Sequence, residues 1–269
     1  MTTMMKMPNS LQNAMTEARR QAYLQAMGID VWQSRTSSGA ESVAELVEAV
    51  PPISAELPVM PKPAATVDKI AVDPNATPAA ADGARRWALL QNEVMRCTQC
   101  RLHETRTQAV FGAGSRYATL AIVGDSPGRE EDQSGQPFDG AAGKVLAGMI
   151  RSMGLKPDQV FVTNQLKCRP PQNRTPRSDE LSNCQQYLER QLAEIKPQVI
   201  LAVGALAAQR LLKVEAPIGK LRTKSHCLPG TETPVVVTYH PGYLVREPTS
   251  KAAVWSDLKQ TKRLLETAA

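Results

Sequence analysis

Short apolar runs alternate with helically spaced segments through the last two thirds of the chain. Thr119 to Val123 is apolar and stops at Gly124, which predicts a strand, and Gly140 to Met153 has helical spacing before Gly154. Val160 to Thr163 reads as a second strand, Asp179 to Ile195 as a helix, Val199 to Val203 as a third strand and Ala205 to Leu212 as a helix. Pro234 to Thr238 adds a fourth strand, and Lys251 to Thr267 is an amphipathic closing helix. This order predicts the α/β class: a three-layer α/β/α domain with a mostly parallel central sheet. Ligands of such sheets bind beyond the carboxyl ends of the strands. Asp125, Asn164, Gly204 and His240 each follow a predicted strand directly or stand one residue past its end, so they are expected to converge on one pocket.

The N-terminal third has a different pattern. Residues 11 to 35 alternate apolar and basic positions in a helical rhythm, with Ala18, Tyr23, Leu24 and Met27 near one face, Gly28 as a helix end and Trp32 just beyond. From Ser37 to Ala84 the composition shifts to Ala, Pro, Val and acids, with seven prolines, and reads as an extended, flexible linker; Glu41 to Val50 has room for a helical turn or two. The predicted organisation is a peptide at 1–36, a linker at 37–84 and a folded domain at 85–269. Charge sharpens the division: the linker has seven acids against Lys62 and Lys69, a net of −5, while 85–269 has 26 bases against 17 acids, a net of +9. The basic surplus of the domain suits a polyanionic partner. No run approaches the length of a membrane span, and the first residues lack the apolar stretch of a signal peptide, so the expected location is cytoplasmic.

Five cysteines bear on the chemistry. In a reducing compartment the pair Cys97 and Cys100, with Cys168 and Cys184 further on, reads as a metal or cluster site rather than as disulfides. Four thiolates can hold zinc or a [4Fe–4S] cluster, and spacing alone does not separate the two. Cys227, beside His226, is left over and is expected to be a plain structural thiol.

Other residues have two readings each. Asp125 suits a catalytic carboxylate, or it caps the following helix. His240, held near a strand end by Pro241, is either a donor or a packed ring. Phe138, one of only three phenylalanines, stands in a polar Gly-rich loop, where an exposed ring offers a stacking surface or else forms a small loop core. Asn164 can present a donor and an acceptor to a polar ligand edge, or form a turn.

The strings Gly124-Asp-Ser-Pro-Gly128, Glu130-Glu131-Asp132, Gln136-Pro-Phe-Asp-Gly140, Thr163-Asn-Gln-Leu-Lys-Cys-Arg-Pro-Pro171 and His240-Pro-Gly-Tyr243 together resemble the family 4 uracil-DNA glycosylases over about residues 90–262. The cysteine spacings, two, 67 and 15 intervening residues, also resemble that family's. The resemblance implies a uracil-DNA glycosylase-like fold and hydrolysis of the N-glycosidic bond to uracil in base excision repair. It implies catalytic roles for Asp125 and His240, and substrate contacts from Gly124, Ser126, Gly128, Phe138 and Asn164. DNA contacts would come from Arg169, Arg174, Arg177, Tyr243 and Arg246, and a structural [4Fe–4S] cluster, in preference to zinc, from Cys97, Cys100, Cys168 and Cys184. Two departures stand out: Asp125 occupies a position where the family usually has Glu, and Asp139 one where it tends to have an apolar residue.

Residues 19 to 35 resemble the amino-terminal peptide of the psi subunit of the bacterial DNA polymerase III clamp-loader complex, in the order Arg19, Arg20, Leu24, the pair Gly28-Ile29, Trp32 and Arg35. A short amphipathic peptide on a long linker is the form of a tethered docking motif. The resemblance implies the clamp loader as partner. The alternative function is then a psi-like replisome connector whose glycosylase-like domain has reduced or lost activity.

Overall fold

The computed structural model describes residues 78–267, all within the second of the chain's two units, Leu57–Ala269. The expected docking peptide and nearly all of the expected linker lie outside the described residues. Helix α1, Pro78–Met95, begins seven residues before the expected domain boundary at 85. Pro is tolerated in a first helical turn and alanine is the strongest helix former, so the Pro-Ala-Ala-Ala sequence that reads as linker also starts a helix. Trp87, Leu90 and Val94 share the inner face of α1, and the Trp87 ring meets Phe111 and Phe161 edge-on with centroids 5.1 and 5.3 Å apart.

Four strands form the parallel centre of the sheet: β2 (Leu120–Gly124), β3 (Val160–Asn164), β4 (Val199–Val203) and β6 (Pro234–Thr238). Two-residue strands, β1 (Ala113–Gly114) and β5 (His226–Cys227), close the edges antiparallel, and the order is β1-β3-β2-β4-β6-β5. The near-continuous apolar runs reflect burial on both faces. Leu120, Ile122, Leu201 and Val203 face one layer, built on α3 (Gly140–Ser152) and α8 (Lys251–Thr267). Ala121, Val123, Ile200 and Ala202 face the other, built on α4 (Ser178–Ile195) and α5 (Ala205–Leu212). Three layers and a mostly parallel sheet are what the alternation predicts.

Three short helices were not legible from periodicity: α2 (Arg129–Ser134), α6 (Ile218–Leu221) and α7 (Pro241–Arg246). None exceeds two turns, too few for an apolar stripe to repeat. Asp257 of α8 accepts both a forked pair of hydrogen bonds from Arg222 (2.8 and 3.0 Å) and one from Thr238 (2.6 Å), tying α8 to the end of β6. No described helix is long and apolar enough to cross a membrane.

Leu201 is fully buried in β4. Leu201→Ala is expected to cost about 3 kcal/mol of unfolding free energy through the cavity it leaves, whereas Val214→Ala, at an exposed position, is expected to stay within about 0.5 kcal/mol; urea titrations of the two variants check the contrast.

Candidate active site and cysteine cavity

The site grows from the parallel register of β2 and β3, which sets Gly124 opposite Asn164. A Cβ on Gly124 would lie 2.4 Å from Asn164 Oδ1 and 2.4 Å from Phe138 Cζ. Only glycine lets the amide and the ring close together over the strand end. Asn164 is 3% exposed, and its side-chain amide hydrogen-bonds to no other group among the described residues.

Phe138 departs from the exposed aromatic expected of a polar loop. Its backbone takes φ +55°, and this left-handed turn folds the ring inward, leaving it 8% exposed within the core cluster. The ring stacks on His240 with centroids 5.4 Å apart and planes at 29°. Asp139, at the position where the family tends to have an apolar residue, caps α3: its Oδ1 accepts from the Gly140 N–H at 2.7 Å.

His240 is the N-cap of α7. Its Nδ1 accepts the Gly242 N–H at 3.0 Å, which makes Nδ1 the unprotonated nitrogen and leaves the ring proton on Nε2. Burial pulls the imidazole down to about 4, and the positive charge of Arg246 acts in the same direction. The ring is therefore neutral near pH 7.

Asp125 follows β2 and reaches across to the β4–α5 turn. Its Oδ1 accepts the Ala207 N–H in the first turn of α5 at 2.7 Å. Gly204, at φ +118°, leaves room for the carboxylate: a Cβ there would lie 2.8 Å from both oxygens. The capping role is thus real, but on α5 rather than on the next helix, and it does not exclude a chemical one. Burial raises the carboxyl to about 6, with the Ala207 N–H opposing that shift.

Ser126 and Gly128 continue the loop into α2, where Glu131 Oε2 accepts the Gly128 N–H at 2.9 Å. The basic residues divide. Arg174 is committed to the buried Glu180 through a forked pair, one bond at 2.9 Å, so its guanidinium holds the loop to α4 instead of standing free for a phosphate. Arg169 donates to Asn173 Oδ1 at 2.7 Å. Arg177 and Arg246 are exposed, and Tyr243 is exposed with its ring 5.2 Å from Tyr239.

All four expected cysteines, Cys97, Cys100, Cys168 and Cys184, are unpaired and line one cavity with Arg106, Lys167 and Tyr187. Two of the sulfurs meet donors: Arg106 reaches Cys168 Sγ at 2.9 Å and the Lys167 N–H reaches Cys184 Sγ at 3.3 Å. Burial pushes the Cys184 thiol up to about 12. No three His, Cys, Asp or Glu side chains among the described residues are gathered to hold a single metal ion. Cys227, expected to be structural, is exposed on the edge strand β5.

Three participants escaped sequence reasoning. Lys167 is buried with its ammonium among neutral oxygens, Arg222 lies over the Tyr239 ring at 4.4 Å, and Ala207 offers only its backbone. A buried lysine and a backbone donor leave no trace in residue type or spacing.

Residues 111–259 match the model of the uracil DNA glycosylase superfamily. The chain is 41% identical over 178 residues to a type-4 uracil-DNA glycosylase of Archaeoglobus fulgidus, covering 64% of this chain and 89% of that protein. It is 35% identical over 181 residues to the type-4 enzyme of Thermotoga maritima, covering 66% and 94%. A type-5 uracil-DNA glycosylase of Pyrobaculum aerophilum is 30% identical over 146 residues, 49% of this chain and 64% of that protein. With the α/β/α sheet and with Asp125, Asn164 and His240 at the carboxyl ends of its parallel strands, these matches establish that the chain belongs to the uracil DNA glycosylase superfamily.

Proposed function

We propose that the domain hydrolyses the N-glycosidic bond joining uracil to deoxyribose in DNA, as a base-excision enzyme. The observation that carries this reading is the state of His240: buried at a strand end, neutral, with its proton assigned to Nε2 by the Gly242 N–H on Nδ1. A base taken from a single strand or flipped from a duplex is read at its edge by the Asn164 amide, one donor and one acceptor. Gly124 lets that amide approach, and Phe138 and His240 form a ring wall beside it. Bond cleavage leaves negative charge on the base and positive charge on the sugar. The His240 Nε2–H donates to the oxygen of the departing anion, a fixed donor at the place where charge develops. Asp125, ionised above about pH 6, orients water or balances the sugar cation. Its carboxylate is one methylene shorter than the family's usual Glu, and its Ala207 bond turns it toward the β4–α5 side of the site. Arg169, Arg177, Tyr243 and Arg246 are the DNA-facing candidates. Arg174 is a support for that loop.

The cysteine cavity is proposed to hold a [4Fe–4S] cluster through Cys97, Cys100, Cys168 and Cys184. A cubane gives each thiolate its own iron, so four cysteines can line one cavity without meeting at one point as a single zinc ion requires. The preference for a cluster over zinc rests on the resemblance of the cysteine motif to that of the family 4 enzymes. Donors from Arg106 and the Lys167 backbone suit negatively charged sulfur. Such a group would cross-link the segment after α1, the loop after β3 and α4; glycosidic hydrolysis needs no redox step from it. Residues 19–35 would dock on a clamp loader, a reading supported by their motif order.

On a uracil-containing oligonucleotide the full chain, purified anaerobically, is expected to produce alkali-labile abasic sites; a folded, iron-loaded protein that makes none would overturn the enzymatic reading. Asp125→Asn and His240→Gln are each expected to lower kcat by roughly 10²–10³. Because Asp125 acts as the carboxylate, kcat should fall as pH drops through about 6. His240 stays neutral until about pH 4, so it adds no limb near neutrality, and a pH–rate profile of the wild type against Asp125→Asn checks both statements. Cys184→Ser should lose most of the visible thiolate-to-iron absorption and of about four irons per chain, read by metal analysis. Trp32→Ala should abolish co-purification with clamp-loader subunits and leave uracil excision unchanged.

A further inference from the structure

Lys167 is 1% exposed, one of the largest fully buried side chains among the described residues. A buried ammonium is a costly way to fill volume and persists only when all its donors are satisfied. Here the three donors meet three neutral oxygens: Thr163 Oγ1 at 2.6 Å, the Asn164 carbonyl at 2.8 Å and Gln191 Oε1 at 2.7 Å. The acceptors are themselves held, since both Thr163 Oγ1 and Gln191 Nε2 donate to the Phe111 carbonyl, at 3.0 and 2.9 Å. On its other side, the Lys167 N–H donates to Cys184 Sγ, and Cys168 is the next residue. One residue thus grips the peptide of Asn164 with its side chain and the rim of the cysteine cavity with its backbone.

We infer that Lys167 is a positioning residue that aligns Asn164 for reading the base and couples that alignment to the cysteine cavity. The inference deepens the uracil-excision reading and rests on it. The Asn164 amide is held by packing over Gly124 and Phe138 rather than by a side-chain hydrogen bond, so its aim depends on where its backbone places it. That backbone is held by the strand pairing with Gly124 and by the Lys167 ammonium at its carbonyl. Removing the ammonium frees the carbonyl end, and the amide loses its fixed approach over Gly124. The direct effect falls on base recognition, because the Lys167 ammonium touches Thr163, Asn164 and Gln191 and none of Arg169, Arg177, Tyr243 and Arg246.

The test compares the wild-type full chain, Lys167→Met and Thr163→Val in three measurements: inhibition by free uracil, affinity for an abasic-site oligonucleotide, and iron per chain. Lys167→Met is expected to weaken uracil inhibition about tenfold, the order of effect when a recognition amide loses its fixed geometry, with abasic-DNA affinity within about twofold of wild type and iron content reduced. Thr163→Val, which removes one acceptor, should shift uracil inhibition in the same direction by less. Unchanged uracil inhibition in a folded Lys167→Met, or equal loss of uracil and abasic-DNA binding, would overturn the positioning role, as would iron content equal to wild type for the coupling. If Lys167→Met does not fold, Thr163→Val decides by the same criteria. A wild-type protein that uracil does not inhibit and that excises none would instead mark failure of the uracil reading itself.

Discussion

The pairing of Gly124 with Asn164 across two parallel strands constrains everything built at that end of the sheet. Side chains alternate faces along a strand, so a slip of one residue would turn Asn164 away and put its neighbour in its place. Glycine on the partner strand then determines how close the amide and the Phe138 ring approach. The apolar runs that hold this register are buried on both faces. Their packing thus both stabilises the domain and aligns its chemistry.

Burial acts in opposite directions on the two ionisable residues of the site. It disfavours charge on both, raising the Asp125 carboxyl and lowering the His240 imidazole. The backbone then refines each: Ala207 donates to the carboxylate and Gly242 donates to the ring nitrogen. Both donors come from first turns of helices that follow strands, where N–H groups have no partner within the helix. The doubly wound fold delivers such donors to the strand ends as a matter of topology.

A second core lies around the cysteines. Trp87, Leu90 and Val94 of α1 pack with Phe161, Leu166 and Tyr187, and the four cysteines belong to this cluster rather than to either layer flanking the sheet. Segments far apart in sequence, one before β1 and one after β3, meet there. The β3 loop belongs to both regions, and Lys167 stands at their junction.

The pattern of apolar residues determined the class of fold, the sheet and the strand ends where chemistry collects, because a strand buried on both faces must be apolar throughout. All four central strands lie within a residue of their expected places. The motifs likewise marked Asp125, Asn164, His240 and the four cysteines. What only the tertiary structure decided were orientation and partnership. Phe138 turns inward because one residue takes φ +55°, Asp139 caps a helix, Arg174 is bound to Glu180, and Cys227 lies exposed on an edge. A sequence records which groups are available, whereas a backbone angle, a buried ammonium with neutral partners, or a helix N–H aimed at a carboxylate exists only after distant segments have packed together.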